Sequence, residues 1–147
     1  LKGFNYALAK YKGLSLPEAR PQDWMDAFYQ LTRFLEERKS KQKQVIFLDE
    51  LPWMAGPKSG FLRALGSFWN NWARKQKIVL VICGSAASWM IQKVVNDTGG
   101  LHNRITKRIF LQAFSLAETE QYLKARNVDY NRYQIAQLYM TIGGIPH

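Results

Sequence analysis

The sequence contains little cysteine and no long apolar run. Its 147 residues include a single cysteine, Cys83, which excludes a disulfide-stapled scaffold and a cysteine-based zinc site. The longest uninterrupted apolar run, Ile78 to Cys83, is far shorter than the ~20 residues that cross a bilayer, and no signal-peptide pattern opens the chain. We therefore expect a cytoplasmic protein with no membrane partner. Cys83 is expected to be a buried, inert thiol.

Acidic residues are about half as common as basic ones. The chain has 11 Asp and Glu against 21 Lys and Arg, which gives a net charge of +10. Such an excess indicates an anionic partner, whether a nucleic acid, a nucleotide or a membrane surface. The densest basic run, residues 38–43, lies between two predicted elements, where charge runs are typical of a solvated turn. Because no nucleic-acid-binding motif accompanies it, a basic nucleic-acid-binding module is the alternative and not the leading interpretation.

Apolar and aromatic residues are plentiful enough for a packed core. They make up 47% and 14% of the chain, which excludes a disordered protein, because such chains bury too little apolar surface to offset the entropy of ordering. A chain of this length allows one domain.

Apolar periodicity predicts amphipathic helices. Trp24, Phe28, Leu31 and Leu35 share one helix face after Asp23, a predicted N-cap. A second stripe, led by Phe61, follows Ser59, which is predicted to cap the second helix. Further helices are predicted over 86–95, from the capping box at Ser115 to about 126, and over 131–142.

Two short apolar runs predict strands that are buried on both faces of a parallel sheet. They are Val45 to Leu48 and Ile78 to Cys83, and a third, more polar strand is predicted over Ile105 to Leu111. Residues 51–60 read as a loop. The alternation of strands and helices predicts an α/β fold with right-handed crossovers.

Polar side chains follow the first two predicted strands. Asp49 and Glu50 end the first, and Gly84 and Ser85 follow the second. Ligands of open α/β sheets bind beyond the carboxyl ends of the strands, where an Asp can hold Mg²⁺ at phosphates and a Glu can act as a general base. This is a Walker B pattern, and Ser85 is a candidate sensor of the γ-phosphate. The plain alternatives are an acidic strand end without a role and a helix N-cap.

The phosphate loop that normally accompanies a Walker B strand, Gly-x-x-x-x-Gly-Lys-Ser/Thr, is absent from the sequence. The nearest segment, Gly56-Pro57-Lys58-Ser59, follows the acidic strand and has proline where an amide donor is needed. We interpret it as an ordinary loop.

Several segments occur in an order typical of one known family. They are Val45-Ile-Phe-Leu-Asp-Glu-Leu-Pro-Trp53, Ser59-Gly-Phe-Leu62, Phe68-Trp-Asn70, Cys83-Gly-Ser-Ala-Ala-Ser-Trp89, Gly99-Gly-Leu-His-Asn-Arg104 and Gly143-Gly-Ile-Pro146. Over about residues 24–147 the chain resembles the prokaryotic ATPase-domain family within the AAA+/STAND group of P-loop NTPases.

The resemblance implies roles for particular residues. Asp49 is implied to bind Mg²⁺ through water, Glu50 to be the catalytic base and Ser85 to be the sensor. Arg104 and Arg108 are implied to contact phosphate or a neighbouring subunit, and the plain alternative is a solvated cation.

The resemblance also implies a nucleotide partner, with ATP and Mg²⁺ as cofactors. Gly144 and Pro146 resemble the element that packs a lid against adenine, and the plain alternative is a helix C-cap followed by a stop. Residues 1–112 are then a partial P-loop core and 113–147 the start of a helical lid. The implied function is an ATP-hydrolysing regulatory switch that acts on a C-terminal effector or protein partner and that can form a homo-oligomer. A catalytically degenerate interaction scaffold is a further alternative.

The chain departs from this family at its start. AAA+ sheets have strand order 5-1-4-3-2, and the three predicted strands correspond to 3, 4 and 5. We therefore expect a fragment whose first strand and phosphate loop lie upstream, roughly 50 residues or more. By itself the fragment is expected to bind ATP weakly and to be inactive.

Overall fold

The computed structural model of the protein describes residues 1–15, 17, 20–38, 41–96 and 98–145. The chain divides into two compact units, Leu1–Thr106 and Lys107–His147. The predicted division at residue 112 into a nucleotide-binding core and a lid stays a prediction.

The described residues form an α/β structure with seven α-helices and a two-stranded parallel sheet, which confirms the predicted α/β class. That this sheet belongs to a P-loop NTPase fold stays a prediction. The helices are α1 (Lys2–Tyr11), α2 (Trp24–Glu37), α3 (Leu51–Met54), α4 (Phe61–Asn71), α5 (Ala87–Met90), α6 (Leu116–Ala125) and α7 (Arg132–Ile142). The strands are β1 (Gln44–Leu48) and β2 (Ile78–Ile82). A 3₁₀ turn over Ala73–Lys75 precedes β2, and a π-helical turn over Ile91–Val95 extends α5.

Local capping groups set the helix starts. The Asp26 N–H donates to Asp23 Oδ1 at 2.9 Å, which confirms Asp23 as the N-cap of α2. The N-cap of α4 is Gly60, so the prediction for Ser59 is wrong by one residue, although the Ser59 hydroxyl still accepts from the Phe61 N–H at 3.3 Å. The one-turn helix α3 lies inside the segment predicted as a loop. Its proline does not prevent a helix, because proline is tolerated in the first turn.

Aromatic rings form the core between α2 and α4. The Trp24 and Phe61 rings meet edge to face with centroids 4.7 Å apart, and Phe28 stacks on Phe68 at 5.1 Å. Phe61 is fully buried. The burial and contacts of these rings confirm that the predicted amphipathic stripes of the two helices form the core. Each such ring pair stabilises the fold by about 0.5–1.5 kcal/mol beyond the effect of its buried area.

The sheet is covered on one face. β1 and β2 pair in parallel register from Gln44 opposite Ile78 to Leu48 opposite Ile82. Ile46 and Leu48 are buried, whereas on the other face Val45 and Phe47 are 67% and 58% exposed, and Val79 and Val81 are also exposed. The prediction that both strands are buried on both faces is therefore wrong for this second face.

The predicted third strand does not form. Residues 105–111 adopt no regular secondary structure and are exposed throughout, including Ile109, Phe110 and Leu111. β-branched and aromatic residues favour strands only when a neighbouring strand supplies hydrogen-bond partners and side-chain packing. No strand pairs with this segment among the described residues. Its composition alone is therefore insufficient to form a strand.

The second unit contains α6 and α7. Ser115 and Glu118 form a reciprocal capping box at the start of α6, as predicted, and Asn131 and Gln134 form one at the start of α7. The Ser115 N–H and hydroxyl both donate to Glu118 and lower the pKa of that carboxyl. Within the described ranges no helix has both the length and the apolar character that a membrane crossing requires.

Candidate functional site

The ends of the two strands bring the predicted polar residues together. Because β1 and β2 are parallel and in register, residues 49–50 and 83–85 leave the sheet at the same edge. The pairing continues past the strands, since the Cys83 N–H donates to Leu48 O at 3.0 Å and the Leu51 N–H donates to Cys83 O at 2.9 Å. We call Asp49, Glu50, Cys83 and Ser85 the carboxyl-end cluster.

Asp49 is held in one orientation by two donors. Its Oδ1 accepts from the Glu50 N–H at 2.9 Å and from the Cys83 thiol, with Sγ 2.6 Å away. In the described part of the chain no hydrogen bond engages Oδ2 of Asp49. The carboxylate is exposed, so this second oxygen can face a ligand.

The Cys83 thiol belongs to the cluster. The sequence predicts a buried, inert thiol, but the side chain is partly exposed and donates to Asp49. The hydrogen bond with Asp49, followed by burial, raises the pKa of Cys83. The prediction of burial in the apolar run is wrong because Cys83 lies one residue beyond β2, beside the exposed Asp49.

Glu50 has an unusual backbone conformation. Its φ and ψ are both +49°, in the left-handed region that residues other than glycine rarely adopt. Such conformations cost on the order of 1 kcal/mol or more and are concentrated at functional sites. The turn carries the chain from β1 into α3 and leaves the carboxylate exposed, where the Ser85 hydroxyl lies 3.4 Å from Oε2 and donates to it.

A tight contact sets the spacing of the two loops. A Cβ on Gly84 would lie 2.7 Å from Pro52 Cδ and 3.2 Å from Met90 Sδ. Only glycine lets the loop after β2 approach the loop after β1 this closely. The close approach holds Ser85 beside Glu50. No sequence pattern predicts this role of Pro52.

Arg104 lies against α4. Its Nε donates to Asn70 Oδ1 at 2.9 Å, and Asn70 Nδ2 donates to Gly100 O at 2.6 Å. Asn70 is in the last turn of α4, the helix that returns the chain from the carboxyl end of β1 to the amino end of β2. The described contacts thus join Arg104 to Asn70 and not to the carboxyl-end cluster. Its role toward phosphate or a second subunit stays a prediction.

The remaining predicted residues belong to the second unit. Arg108 is exposed in the segment without regular structure. Gly144 is buried, its carbonyl accepts from the Phe114 N–H at 2.7 Å, and a Cβ there would overlap the Phe114 backbone. Pro146 lies outside the described residues. The contact of Gly144 with Phe114 gives this glycine a packing reason, and its role at adenine stays a prediction.

The carboxyl-end cluster contains two carboxylates, and its predicted role toward Mg²⁺ stays a prediction. Among the described residues no group of three or more His, Cys, Asp and Glu side chains is arranged to hold a metal ion. Mg²⁺ instead is commonly bound by one or two carboxylates together with water and substrate phosphates. Asp49 and Glu50 supply such carboxylates at an exposed edge.

Comparisons of the chain with protein-family models, curated proteins and solved structures find no match.

Proposed function

We propose that the protein is part of a Mg²⁺-dependent ATPase switch of the AAA+/STAND type, in which water attacks the γ-phosphate of ATP. One observation carries the proposal: Asp49 and Glu50 leave β1 beside the Ser85 hydroxyl, which lies 3.4 Å from Glu50 Oε2. Such a cluster stands where parallel sheets bind their ligands. The ordered segments that resemble the ATPase family support the same function.

Asp49 holds Mg²⁺ through water. Two donors occupy Oδ1 and fix the plane of the carboxylate, so Oδ2 is the oxygen that would accept from a water bound to Mg²⁺. Bound Mg²⁺ supplies positive charge that neutralises the phosphate oxygens. Cys83 and the Glu50 backbone are therefore positioning groups.

Glu50 is the general base. Its exposed carboxylate accepts a proton from the attacking water while the water oxygen bonds to the γ-phosphorus and the bond to the bridging oxygen breaks, releasing ADP and phosphate. Ser85, which donates to Glu50 in this structure, donates to a γ-phosphate oxygen when nucleotide is bound.

The proposal requires a phosphate loop that the 147 residues lack. In the family that the chain resembles, this loop precedes the acidic strand. We therefore expect the 147-residue chain to bind ATP weakly. Micromolar affinity of this chain in titration calorimetry would contradict that expectation.

The test measures the release of phosphate from ATP by the full-length protein. Glu50→Gln is expected to lower kcat roughly 10²–10⁴-fold and to leave ATP binding unchanged. Glu37→Gln is the matched control, because Glu37 is an exposed carboxylate paired with Arg33, and it should change neither quantity.

Two outcomes contradict the proposal. Hydrolysis by Glu50→Gln at the wild-type rate excludes Glu50 as the base. ATP binding without any phosphate release by the wild-type protein indicates a degenerate scaffold instead of an enzyme.

A further inference from the structure

The amino end of the sheet carries a set of exposed cations that the proposed ATPase function does not use. They come from the end of α2 and from the two turns that lead into β1 and β2. We call this set the basic end, and its members are Arg38, Lys41, Lys43, Arg74, Lys75 and Lys77.

Hydrogen bonds between distant segments hold the basic end together. The Gln44 N–H donates to Lys77 O at 2.8 Å, so the two turns start the sheet side by side. Lys77 Nζ donates to Lys41 O at 3.3 Å. Trp72 Nε1 donates to Glu36 Oε1 at 2.7 Å and ties the end of α2 to the turn before β2. The cations therefore occupy one surface, although they are separated in sequence.

The charge of this surface is not compensated within the described residues. None of the six cations forms an ion pair there. Of the two neighbouring carboxylates, Glu36 accepts from Trp72, and Glu37 pairs with Arg33 at 3.9 Å. Like charges held together without counter-charges repel one another, and an anionic partner removes that repulsion.

The chemistry of the two turns narrows the kind of partner. Apart from Ala73, which is buried, their described side chains at 41–43 and 73–77 are Lys, Arg and Gln. Peripheral membrane binding normally adds apolar side chains that enter the lipid, and protein interfaces normally have an apolar centre. A surface of cations and amides alone suits phosphate groups, which accept hydrogen bonds from such side chains.

We propose that the basic end binds the phosphodiester backbone of a nucleic acid without reading its sequence. This function is separate from the proposed ATPase activity, because the strands put about 16 Å between the basic end and the carboxyl-end cluster. A nucleic acid bound at one end leaves Asp49 and Glu50 accessible at the other.

The test measures binding of the 147-residue chain to a fluorescein-labelled duplex DNA of mixed sequence, by fluorescence anisotropy at several salt concentrations. The variant carries Lys41→Gln, Lys43→Gln, Arg74→Gln and Lys75→Gln together. We expect its affinity to fall roughly tenfold or more, and its slope of log affinity against log salt to decrease in magnitude by about 3.6, because each of the four lost phosphate contacts releases about 0.9 counterion. Lys75→Gln alone should reduce that slope by about 1.

The matched control removes the same charge elsewhere. Lys2, Lys10, Lys58 and Lys93 are exposed lysines of the same unit, and their joint replacement by Gln should change the affinity by less than about twofold, because exposed charges far from the contact are screened. Circular dichroism checks that both variants keep the helical content of the wild-type chain.

Four results would overturn the proposal. The first is an equal loss of DNA affinity in the variant and the control, and the second is no DNA binding by the wild-type chain at physiological salt. The third is binding of poly-glutamate as tight as that of DNA, and the fourth is binding of phosphatidylserine vesicles as tight as that of DNA. The first reduces the effect to net charge, and the last two reassign the surface to an acidic protein or a membrane.

Discussion

The two ends of one small sheet differ in charge and in how their side chains are held. At the carboxyl end, Asp49 accepts from Cys83, and Glu50 accepts from Ser85. At the amino end, the described cations form no ion pairs. The hydrogen bonds there join the Gln44 N–H to the Lys77 carbonyl and Lys77 Nζ to the Lys41 carbonyl. Chemistry on a single phosphate needs fixed atoms, whereas attraction to a charged polymer needs only charge density. One pair of parallel strands can therefore support two kinds of surface, a hydrogen-bonded cluster at its carboxyl end and a group of exposed cations at its amino end.

The most damaging change is expected in the core that supports both ends. Phe61 is fully buried and contacts the rings of Trp24 and Phe28. Phe61→Ala should lower the free energy of unfolding, measured by urea unfolding, by about 3–5 kcal/mol. It should also disrupt both ends of the sheet, because this core supports them. Tyr29→Ala, at an exposed position of α2, should stay within about 0.5 kcal/mol of wild type. Equal unfolding midpoints for the two variants would contradict this role of the core.

A substitution at Gly84 should disturb the carboxyl end of the sheet and leave the amino end unchanged. The added Cβ meets Pro52 Cδ at 2.7 Å, so Gly84→Ala forces the loops apart and should cost about 1–3 kcal/mol. DNA binding at the basic end should be unchanged. Gly56→Ala is the control, because its Cβ would meet nothing within 4 Å. The comparison fails if both variants unfold at the same urea concentration or if Gly84→Ala weakens DNA binding.

The smallest effect concerns the thiol of the carboxyl-end cluster. Asp49 and burial raise the pKa of Cys83, so Asp49→Asn should lower that pKa and speed alkylation by iodoacetamide roughly threefold to tenfold at mildly alkaline pH. The chain has a single cysteine, so the rate reports this site alone. Asp129→Asn, in the second unit, should leave the rate unchanged. An unchanged rate in Asp49→Asn would show that the two side chains do not interact.

The same shift has a sign for stability. A thiol whose pKa is raised on folding stabilises the native state while it is protonated. This contribution is fully present at neutral pH and is lost as the pH rises through the raised pKa of Cys83.

Local signals were sufficient to predict the main helices, the two strands and the meeting of Asp49, Glu50 and Ser85. Periodicity and caps depend on neighbours in sequence, and the parallel arrangement places strand ends at one edge. The contact of Cys83 with Asp49 and that of Arg104 with Asn70 join residues 34 positions apart. They depend on register and on loop paths, which no local pattern encodes.

The two wrong predictions about strands have a common physical cause. Residues 105–111 have the composition of a strand, and the apolar runs have that of strands buried on both sides, but both outcomes require neighbours that the described structure does not supply. The left-handed Glu50 likewise escapes prediction, because Glu rarely adopts that conformation.

The uncovered face of the sheet has a consequence for the response to temperature. Val45, Phe47, Val79 and Val81 are already in contact with water in the native state. Newly hydrated apolar surface is the source of the heat capacity increment of unfolding, so these side chains add less to it than they would in a sheet covered on both faces. A smaller increment gives a broader, flatter curve of stability against temperature, and cold destabilises such a fold less.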